Sequence, residues 1–234
     1  MKLPPLVEGR LLRRYQRFFA EIELADGRRV VAHCPNTGSM TGCAQIGAQV
    51  WLSAASNPLR KLAWTWELVE ARPTVLVGVH TGRINALARE AIDAGLLPGL
   101  AGYQRCRAEV RYGVASRIDW LLESDGWPPI YVEVKSVTAV GEDGIGFFPD
   151  AVTSRGARHL AELSAMAAAG ARAVLLFCAP RADLVAVRPA DEIDPAYGRA
   201  LRAALAAGVE VLAVSAQASP EALTPLHALP VRVS

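Results

Sequence analysis

The chain has 234 residues, of which 52% are hydrophobic and 21% are charged. This composition is typical of a folded globular protein and too apolar for a disordered one, and the length allows one large domain or two small ones. No apolar run approaches the ~20 residues that a membrane span requires, and two prolines and an acid interrupt the first residues. We therefore predict neither a membrane span nor a secretory signal.

The cysteines also argue for a protein of the cytoplasm. Cys34, Cys43, Cys106 and Cys178 lie far apart and form no CxxC pair. This usage favours reduced thiols over disulfides. A zinc site made of His33, Cys34 and Cys43 would have the wrong spacing for the usual zinc fingers.

The net charge of +2 hides an uneven distribution. Residues 1–61 contain nine Lys or Arg against four Asp or Glu, which leaves about +5 in this part and about −3 in the remainder. A basic front part is expected to attract polyanions, although a merely solvated basic surface would have the same composition.

The first seventy residues are predicted to form strands. Apolar runs of five to nine residues are separated by turn signals, among them the Asp26-Gly27 pair, which is typical of a short hairpin. Such closely spaced strands predict a small barrel, and a five-stranded OB-like barrel fits their number. We place this domain at residues 1–72. The predicted strands are Phe18–Leu24, Arg29–His33, Gln49–Ser53 and Lys61–Val69, with a Gly- and Thr-rich loop over Cys34–Cys43.

From residue 83 onward the pattern changes to alternating helices and strands. The order α-β-β-β-α-β-α-β predicts a mixed sheet flanked by helices, in a domain over residues 73–234. In chain order we predict helix 83–94, strands 107–112, 117–122 and 130–137, helix 157–169, strand 173–178, helix 195–207 and strand 209–214.

Three charged residues lie in strands that are otherwise built for burial. Glu133 and Lys135 are two apart on a strand and therefore share one face, and Asp119 lies on the preceding strand. Buried charge is unfavourable unless it is paired or binds a metal. Mg²⁺ or Mn²⁺ between Asp119 and Glu133, with Lys135 orienting water or neutralising phosphate charge, would suit phosphodiester hydrolysis.

The context of these residues resembles the PD-(D/E)xK nuclease fold. Asp119 and the Glu-x-Lys motif are separated by 13 residues, on adjacent strands with a helix before and after. The alternative is an ordinary cross-strand Glu–Lys pair with an unrelated aspartate. The proline that usually precedes the aspartate is absent, since Ile118 stands there.

Such nucleases often add an acid from the first helix. Glu90 is the candidate by position and a third predicted metal ligand, although a solvent-facing helix charge explains it equally, and Glu109 is a weaker choice. Beyond the Glu-x-Lys strand, Arg155 at the start of the next helix and His159 one turn later are expected to face the same cleft and meet a phosphate. A plain N-cap explains the Thr and Ser of this helix start equally.

Six longer motifs are distributed over nearly the whole chain, namely Arg14–Phe18, His33–Cys43, Thr65–Leu68, Ser116–Asp119, Tyr131–Val137 and Phe148–Gly156. Together they resemble the sugar fermentation stimulation protein A (SfsA) family. The resemblance implies an OB-like domain joined to a nuclease-like domain, sequence-independent DNA binding and a regulatory link to sugar (maltose) utilisation.

An OB-like barrel gives the basic residues near the N-terminus a role in binding DNA. Arginines interleaved with aromatic residues are expected to supply phosphate contacts and base stacking, with barrel core as the alternative role of Tyr15 and the favoured role of Phe18. The predicted nucleic-acid contacts are Arg13, Arg14, Tyr15, Arg17, Asn36, Thr37, Arg117, Arg155 and His159.

Three functions fit these expectations. The first is a DNA-binding protein whose nuclease-like domain grips DNA, the second is an active metal-dependent endo- or exonuclease, and the third is a small-molecule-sensing regulator that acts on DNA indirectly. No helix-turn-helix is evident, which argues against a sequence-specific repressor. We expect DNA affinity that falls steeply with salt and varies little with sequence.

Overall fold

The computed structural model describes residues 1–57, 59–113 and 116–233. Its N-terminal part is a closed barrel of five strands, as the sequence predicts. The strands are β1 (Leu6–Tyr15), β2 (Phe19–Leu24), β3 (Arg29–His33), β4 (Gln49–Ala54) and β5 (Trp64–Arg72). Antiparallel pairing links β1 to β2 and β4, β2 to β3, and β4 to β5, and a parallel β3–β5 pairing closes the barrel.

Strand β1 is missing from the sequence-based prediction. Its sequence, LVEGRLLRRY, shows no regular alternation of apolar and polar side chains, and only Gly9 and Leu11 are buried among its ten residues. Phe18 was expected in the barrel core, but its side chain lies outside β2 and is 48% exposed. A further strand, β6 (Val75–Gly78), pairs with β5, so the barrel sheet continues beyond position 72.

The second part is built on a six-stranded mixed sheet. Its strands are β7 (Arg105–Tyr112), β8 (Ser116–Glu123), β9 (Ile130–Ser136), β11 (Arg172–Ala179), β13 (Glu210–Ala218) and β14 (Leu223–Leu229), and a separate pair is formed by β10 (Ile145–Phe148) and β12 (Ala186–Pro189). The order in the sheet is β14-β13-β11-β9-β8-β7. Strands β7, β8 and β9 form an antiparallel meander, while β9, β11 and β13 run parallel and β14 is antiparallel to β13.

Helices cover both faces of this sheet. Helix α1 (Ile84–Asp93) follows a short 3₁₀ turn and packs on one face, and helices α2 (Ser154–Ala168) and α3 (Pro195–Ala206) pack on the other. The predicted helices and the five predicted strands of this part are therefore confirmed, with small shifts at their ends. The sequence missed β6, β10 and β12, which have only four residues each, and β14, which contains a proline.

Two simpler expectations can be compared directly with the structure. The four cysteines are free thiols, as predicted. Within the described residues, no helix combines the length and hydropathy needed to cross a membrane.

Candidate active site

Strand β9 lies in the middle of the sheet and carries two charged side chains on one face. Val132 and Val134 pack into the apolar cluster around α1, so Glu133 and Lys135 point to the opposite face, where α2 lies. The side chain of Glu133 is 3% exposed and that of Lys135 is 13% exposed. Both charges are therefore withdrawn from water at the end of β9 that faces the barrel.

Asp119 reaches β9 from the neighbouring strand by replacing a backbone hydrogen bond. The β8–β9 ladder pairs Trp120 with Val132 and does not continue to the next pair. Instead, the backbone N–H of Val134 donates to Asp119 Oδ2 over 2.7 Å, and Asn85 Nδ2 on α1 donates to Oδ1 over 2.7 Å. Both oxygens of Asp119 are thus held in place by donors on two different elements.

Glu133 is held through one of its two oxygens. Lys135 Nζ donates to Glu133 Oε1 over 2.6 Å, and the same oxygen contacts His159 Nδ1. Arg155 Nε donates to His159 Nε2 over 3.2 Å, so this ring nitrogen accepts and the proton is assigned to Nδ1. His159 therefore donates to Glu133, and Lys135 and His159 share one acceptor.

The two carboxylates differ in their electrostatic surroundings. Burial raises the pKa of Asp119 above its ordinary value, and the negative charge of Glu133 raises it further. Burial acts in the same direction on Glu133, but the hydrogen bond from His159 and the charge of Lys135 outweigh it, so the pKa of Glu133 lies below its ordinary value. Glu133 is consequently the carboxylate that these neighbours hold in its ionised form.

One oxygen at this site has no hydrogen-bond partner. Glu133 Oε2 is buried and unpaired within the described residues. A bare carboxylate oxygen close to a second, half-buried carboxylate, that of Asp119 on the neighbouring strand, is a donor set for a hard cation such as Mg²⁺, which binds one or two carboxylates and otherwise water and phosphate. In the part of the chain that the structure describes, no group of three or more His, Cys, Asp or Glu could hold a metal ion.

Glu90, the expected third ligand, contacts the N-terminus of the chain and not Asp119 or Glu133 in the described residues. Its carboxylate accepts a hydrogen bond from the amino group of Met1 over 2.5 Å and is 43% exposed. Residues five apart on a helix point in widely different directions, and Asn85 is the residue of α1 that faces the site. The sequence missed Asn85 because an amide next to the apolar face of a helix carries no distinctive signal.

Two of the expected nucleic-acid contacts have structural roles instead. His159 is 3% exposed and binds Glu133, so it positions a carboxylate and does not face a ligand. The guanidinium of Arg14 donates to four carbonyl oxygens, three of them within 3.1 Å. These carbonyls belong to Arg17, Asn36, Gly38 and Ser39, so Arg14 fixes the barrel loop, which we define as residues 34–43.

The remaining expected contacts are accessible to a ligand in different degrees. Arg13 forms an ion pair with Glu21 over 2.6 Å and lies above the ring of Tyr15. Arg117 on β8 is exposed. Arg155 is exposed at the start of α2, where Thr153 caps the helix by accepting from the N–H of Gly156, the plain N-cap that the sequence left open.

A cavity of about 350 Å³ lies between the barrel loop and the end of β9. The expected contacts Arg17, Asn36 and Thr37 line it from the barrel, and Lys135 lines it from the sheet. Ser39 Oγ donates to the carbonyl of Asp150 over 2.6 Å, and the N–H of Met40 donates to Asp150 Oδ2 over 2.9 Å. The barrel loop is thereby joined to the second part of the chain beside the candidate site.

An OB-like barrel joined to a PD-(D/E)xK-type α/β domain defines the class of this protein, and Lys135 of the Glu-x-Lys motif lines the cavity at their junction. The family model described as "SfsA N-terminal OB domain" matches residues 12–79, and that described as "Sugar fermentation stimulation protein RE domain" matches residues 82–222. The chain therefore belongs to the SfsA family.

Individual relatives extend the same similarity over nearly the full length. A sugar fermentation stimulation protein homolog of Alkalilimnicola ehrlichii is 55% identical, with 97% of each chain covered. A homolog of Halorhodospira halophila is 56% identical over 97% of this chain and 95% of its own. The solved structure of Pyrococcus furiosus SfsA in complex with Ca²⁺ has a TM-score of 0.86 at 28% identity, covering 99% of this chain and 98% of that chain.

Proposed function

We propose that this protein binds DNA with little dependence on sequence and hydrolyses phosphodiester bonds at a divalent-cation site formed by Asp119 and Glu133, with Lys135 beside it. The observation that carries the proposal is the buried, unpaired Glu133 Oε2. A buried carboxylate with an open oxygen, close to a half-buried one, is unfavourable in a purely structural role and favourable around a cation.

Asp119 and Glu133 would hold the cation, with Mg²⁺ or Mn²⁺ expected for the reaction. The relative from Pyrococcus furiosus was solved with Ca²⁺, which is also a hard cation with oxygen ligands. When bound, such a cation polarises a phosphate and lowers the pKa of its water. The pKa of Asp119 is raised by burial and by the charge of Glu133. A positive charge between the two carboxylates would therefore stabilise their ionised forms.

The chain's own residues orient the site before any substrate arrives. The N–H of Val134 and the amide of Asn85 fix the two oxygens of Asp119. His159 fixes Glu133 from the side of α2, so that the carboxylate cannot rotate away. Lys135 Nζ, held by Glu133 at the edge of the cavity, places a positive charge where a phosphate would develop negative charge.

Three exposed arginines favour binding of a polyanion. Arg17 lines the cavity, and Arg117 and Arg155 are exposed on β8 and at the start of α2. In the described residues none of the three forms an ion pair with a carboxylate. Contacts of this kind bind phosphates without reading bases and weaken as salt is added. The names of the relatives refer to stimulation of sugar fermentation, and a regulatory role of that kind would follow from binding DNA.

The test compares DNA binding and cleavage by the wild type, Asp119→Asn and Glu133→Gln, each with Mg²⁺, Mn²⁺ or chelator. We expect cleavage that requires the cation and falls on the order of a hundredfold or more in both variants, with binding in chelator preserved. Glu90→Gln is the matched control, because it makes the same change outside the site and is expected to cleave like the wild type. Undiminished cleavage by Asp119→Asn and Glu133→Gln would refute the assigned site.

A further inference from the structure

The cavity between the barrel loop and β9 contains polar groups that the proposed hydrolysis does not use. Ser136, one residue beyond Lys135, lines the cavity, and its Oγ is buried without a partner in the described residues. Asn36 on the opposite wall is only 6% exposed. Its Oδ1 accepts from the N–H of Gly38 over 2.9 Å, and its Nδ2 makes no hydrogen bond within the described part of the chain.

The remaining walls combine apolar surface with positive charge. Phe147, Phe148 and Pro149 contribute rings to the lining, while Lys135 and Arg17 contribute cations. Phe148 packs against the buried ring of Tyr197 with 5.2 Å between ring centroids, so this wall is backed by the core of the second domain. A flat apolar wall, a few fixed polar groups and two cations are suited to a ligand with a planar ring and a phosphate.

The size and the closure of the cavity restrict the form of that ligand. About 350 Å³ lies at the small end of the range for small-molecule sites. The hydrogen bonds from Ser39 and Met40 to Asp150 close the cavity on one side. A duplex hides its bases in the stack and can place one here only if that nucleotide leaves the helix, which requires unstacking and unpairing.

We infer that this cavity receives a single unpaired nucleotide of the DNA, so that the site acts on strand ends and frayed or single-stranded segments in preference to fully paired duplex. In this arrangement Asn36 and Ser136 hydrogen-bond the base, and Arg17 and Lys135 contact its phosphate. The inference rests on the proposed function, because it names the substrate form for the same site.

The experiment measures binding in chelator to two DNA duplexes of the same length and the same number of phosphates. One duplex has paired terminal bases and the other has mismatched, frayed terminal bases. We expect the wild type to bind the frayed end about tenfold more tightly, since opening the paired end requires the unpairing energy that the mismatch removes. The quantity compared between variants is this ratio of dissociation constants.

Two variants alter the cavity, and one matched variant does not. Asn36→Asp keeps the oxygen that accepts from Gly38 and removes the amide donor, and Ser136→Ala removes the buried hydroxyl. Asn57→Asp is the control, because Asn57 Oδ1 likewise accepts a backbone N–H, that of Leu59, in a turn outside the cavity. We expect the ratio to fall close to one for both cavity variants and to stay near ten for the control.

The possible outcomes separate this inference from the proposed function. Metal-dependent cleavage with equal affinity for both ends would overturn the nucleotide cavity and leave the hydrolysis standing. A preference for frayed ends without cleavage under any cation would support the cavity and remove the hydrolysis. Retention of the preference by both cavity variants would overturn the cavity, and an absence of DNA binding at low salt would overturn both proposals.

Discussion

Buried carboxylates in this protein differ in how completely their oxygens are satisfied. Both oxygens of Glu67 accept from Arg83, and one also accepts from Ser53. Glu133 has two donors on one oxygen and none on the other. A carboxylate with all its hydrogen bonds made has a structural role. A buried oxygen without a donor is unfavourable unless a ligand binds to it. This contrast supports the proposed role of Glu133 more firmly than its position in the motif does.

Glu67 allows a prediction about acid stability. Burial raises its pKa, but the hydrogen bonds from Arg83 and Ser53 outweigh burial, so the pKa of folded Glu67 lies below its ordinary value of 4.5. A carboxylate with a lowered pKa contributes stability above pH 4.5 that is lost as the pH falls through its folded value. Glu67→Gln is therefore expected to lower the free energy of unfolding by about 2 kcal/mol at pH 7 and by less below pH 4.5.

Chemical denaturation between pH 3 and pH 7 measures this difference. Glu70→Gln on the same strand is the control, because within the described residues the carboxylate of Glu70 accepts a single, exposed hydrogen bond, from the backbone N–H of Thr74. We expect that control to shift stability by no more than about 0.5 kcal/mol. A Glu67→Gln penalty that stays constant across the whole pH range would contradict the assigned role of the ionised group.

At the scale of elements, the β7–β8 hairpin changes face in the middle of both strands. Cys106 packs on the α1 side of the sheet, but Val110 and Tyr112 pack on the α2 side. Regular alternation would place residues four apart on the same face, so the strand must twist between them. Glu109 lies there with φ +54°, a left-handed conformation that is rare in a strand. The register places it opposite Asp119, the residue whose side chain replaces the ladder bond.

This geometry predicts that Glu109→Gly stabilises the protein. Glycine adopts a positive φ without the penalty of about 1 kcal/mol that other residues incur, and so a gain of about that size is expected in the free energy of unfolding. Ala108→Gly is the control, because Ala108 is the neighbouring residue and does not have a positive φ. We expect this control to lower the free energy of unfolding by about 0.5–1 kcal/mol. If Glu109→Ala gave the same gain as Glu109→Gly, the cause would be the carboxylate and not the backbone.

The elements that the sequence predicted are those with a regular period. Strand β9 alternates cleanly, which allowed Glu133 and Lys135 to be assigned to one face. The change of face at Glu109 could not be predicted from the sequence, because the residue there is not a glycine. Asn85 and Asp150 could not be found either, since each acquires its role from a contact with a distant part of the chain, at Asp119 and at Met40. Local pattern thus predicts strands and faces, while long-range contacts complete the site.

At the scale of the whole molecule, the barrel and the sheet domain meet next to the candidate site. The barrel loop contacts Asp150 through Ser39 and Met40, and Thr81 Oγ1 at the domain junction donates to the carbonyl of Pro35 over 2.5 Å. The cavity therefore exists only while both domains keep this arrangement. Binding of one nucleotide there would depend on residues contributed by each domain, which neither could supply alone.

The approach of Gly38 to Asp150 provides a test of this arrangement. A Cβ atom at Gly38 would collide with the Asp150 carboxylate, so Gly38→Ala is expected to push the barrel loop away and destabilise the protein. Asp150→Ala removes the obstacle. The double variant should therefore be more stable than the sum of the two single effects predicts, with an interaction energy of about 1 kcal/mol or more in denaturant unfolding.

Gly42→Ala in the same loop is the control. It also destabilises the protein, because the φ of Gly42 is +75°, but no atom lies within 4 Å of an added Cβ. Its effect on the free energy of unfolding should therefore add to that of Asp150→Ala. If the effects of Gly38→Ala and Gly42→Ala were both additive with that of Asp150→Ala, the barrel loop would not contact Asp150 in solution. The cavity would then lose the contact that closes it.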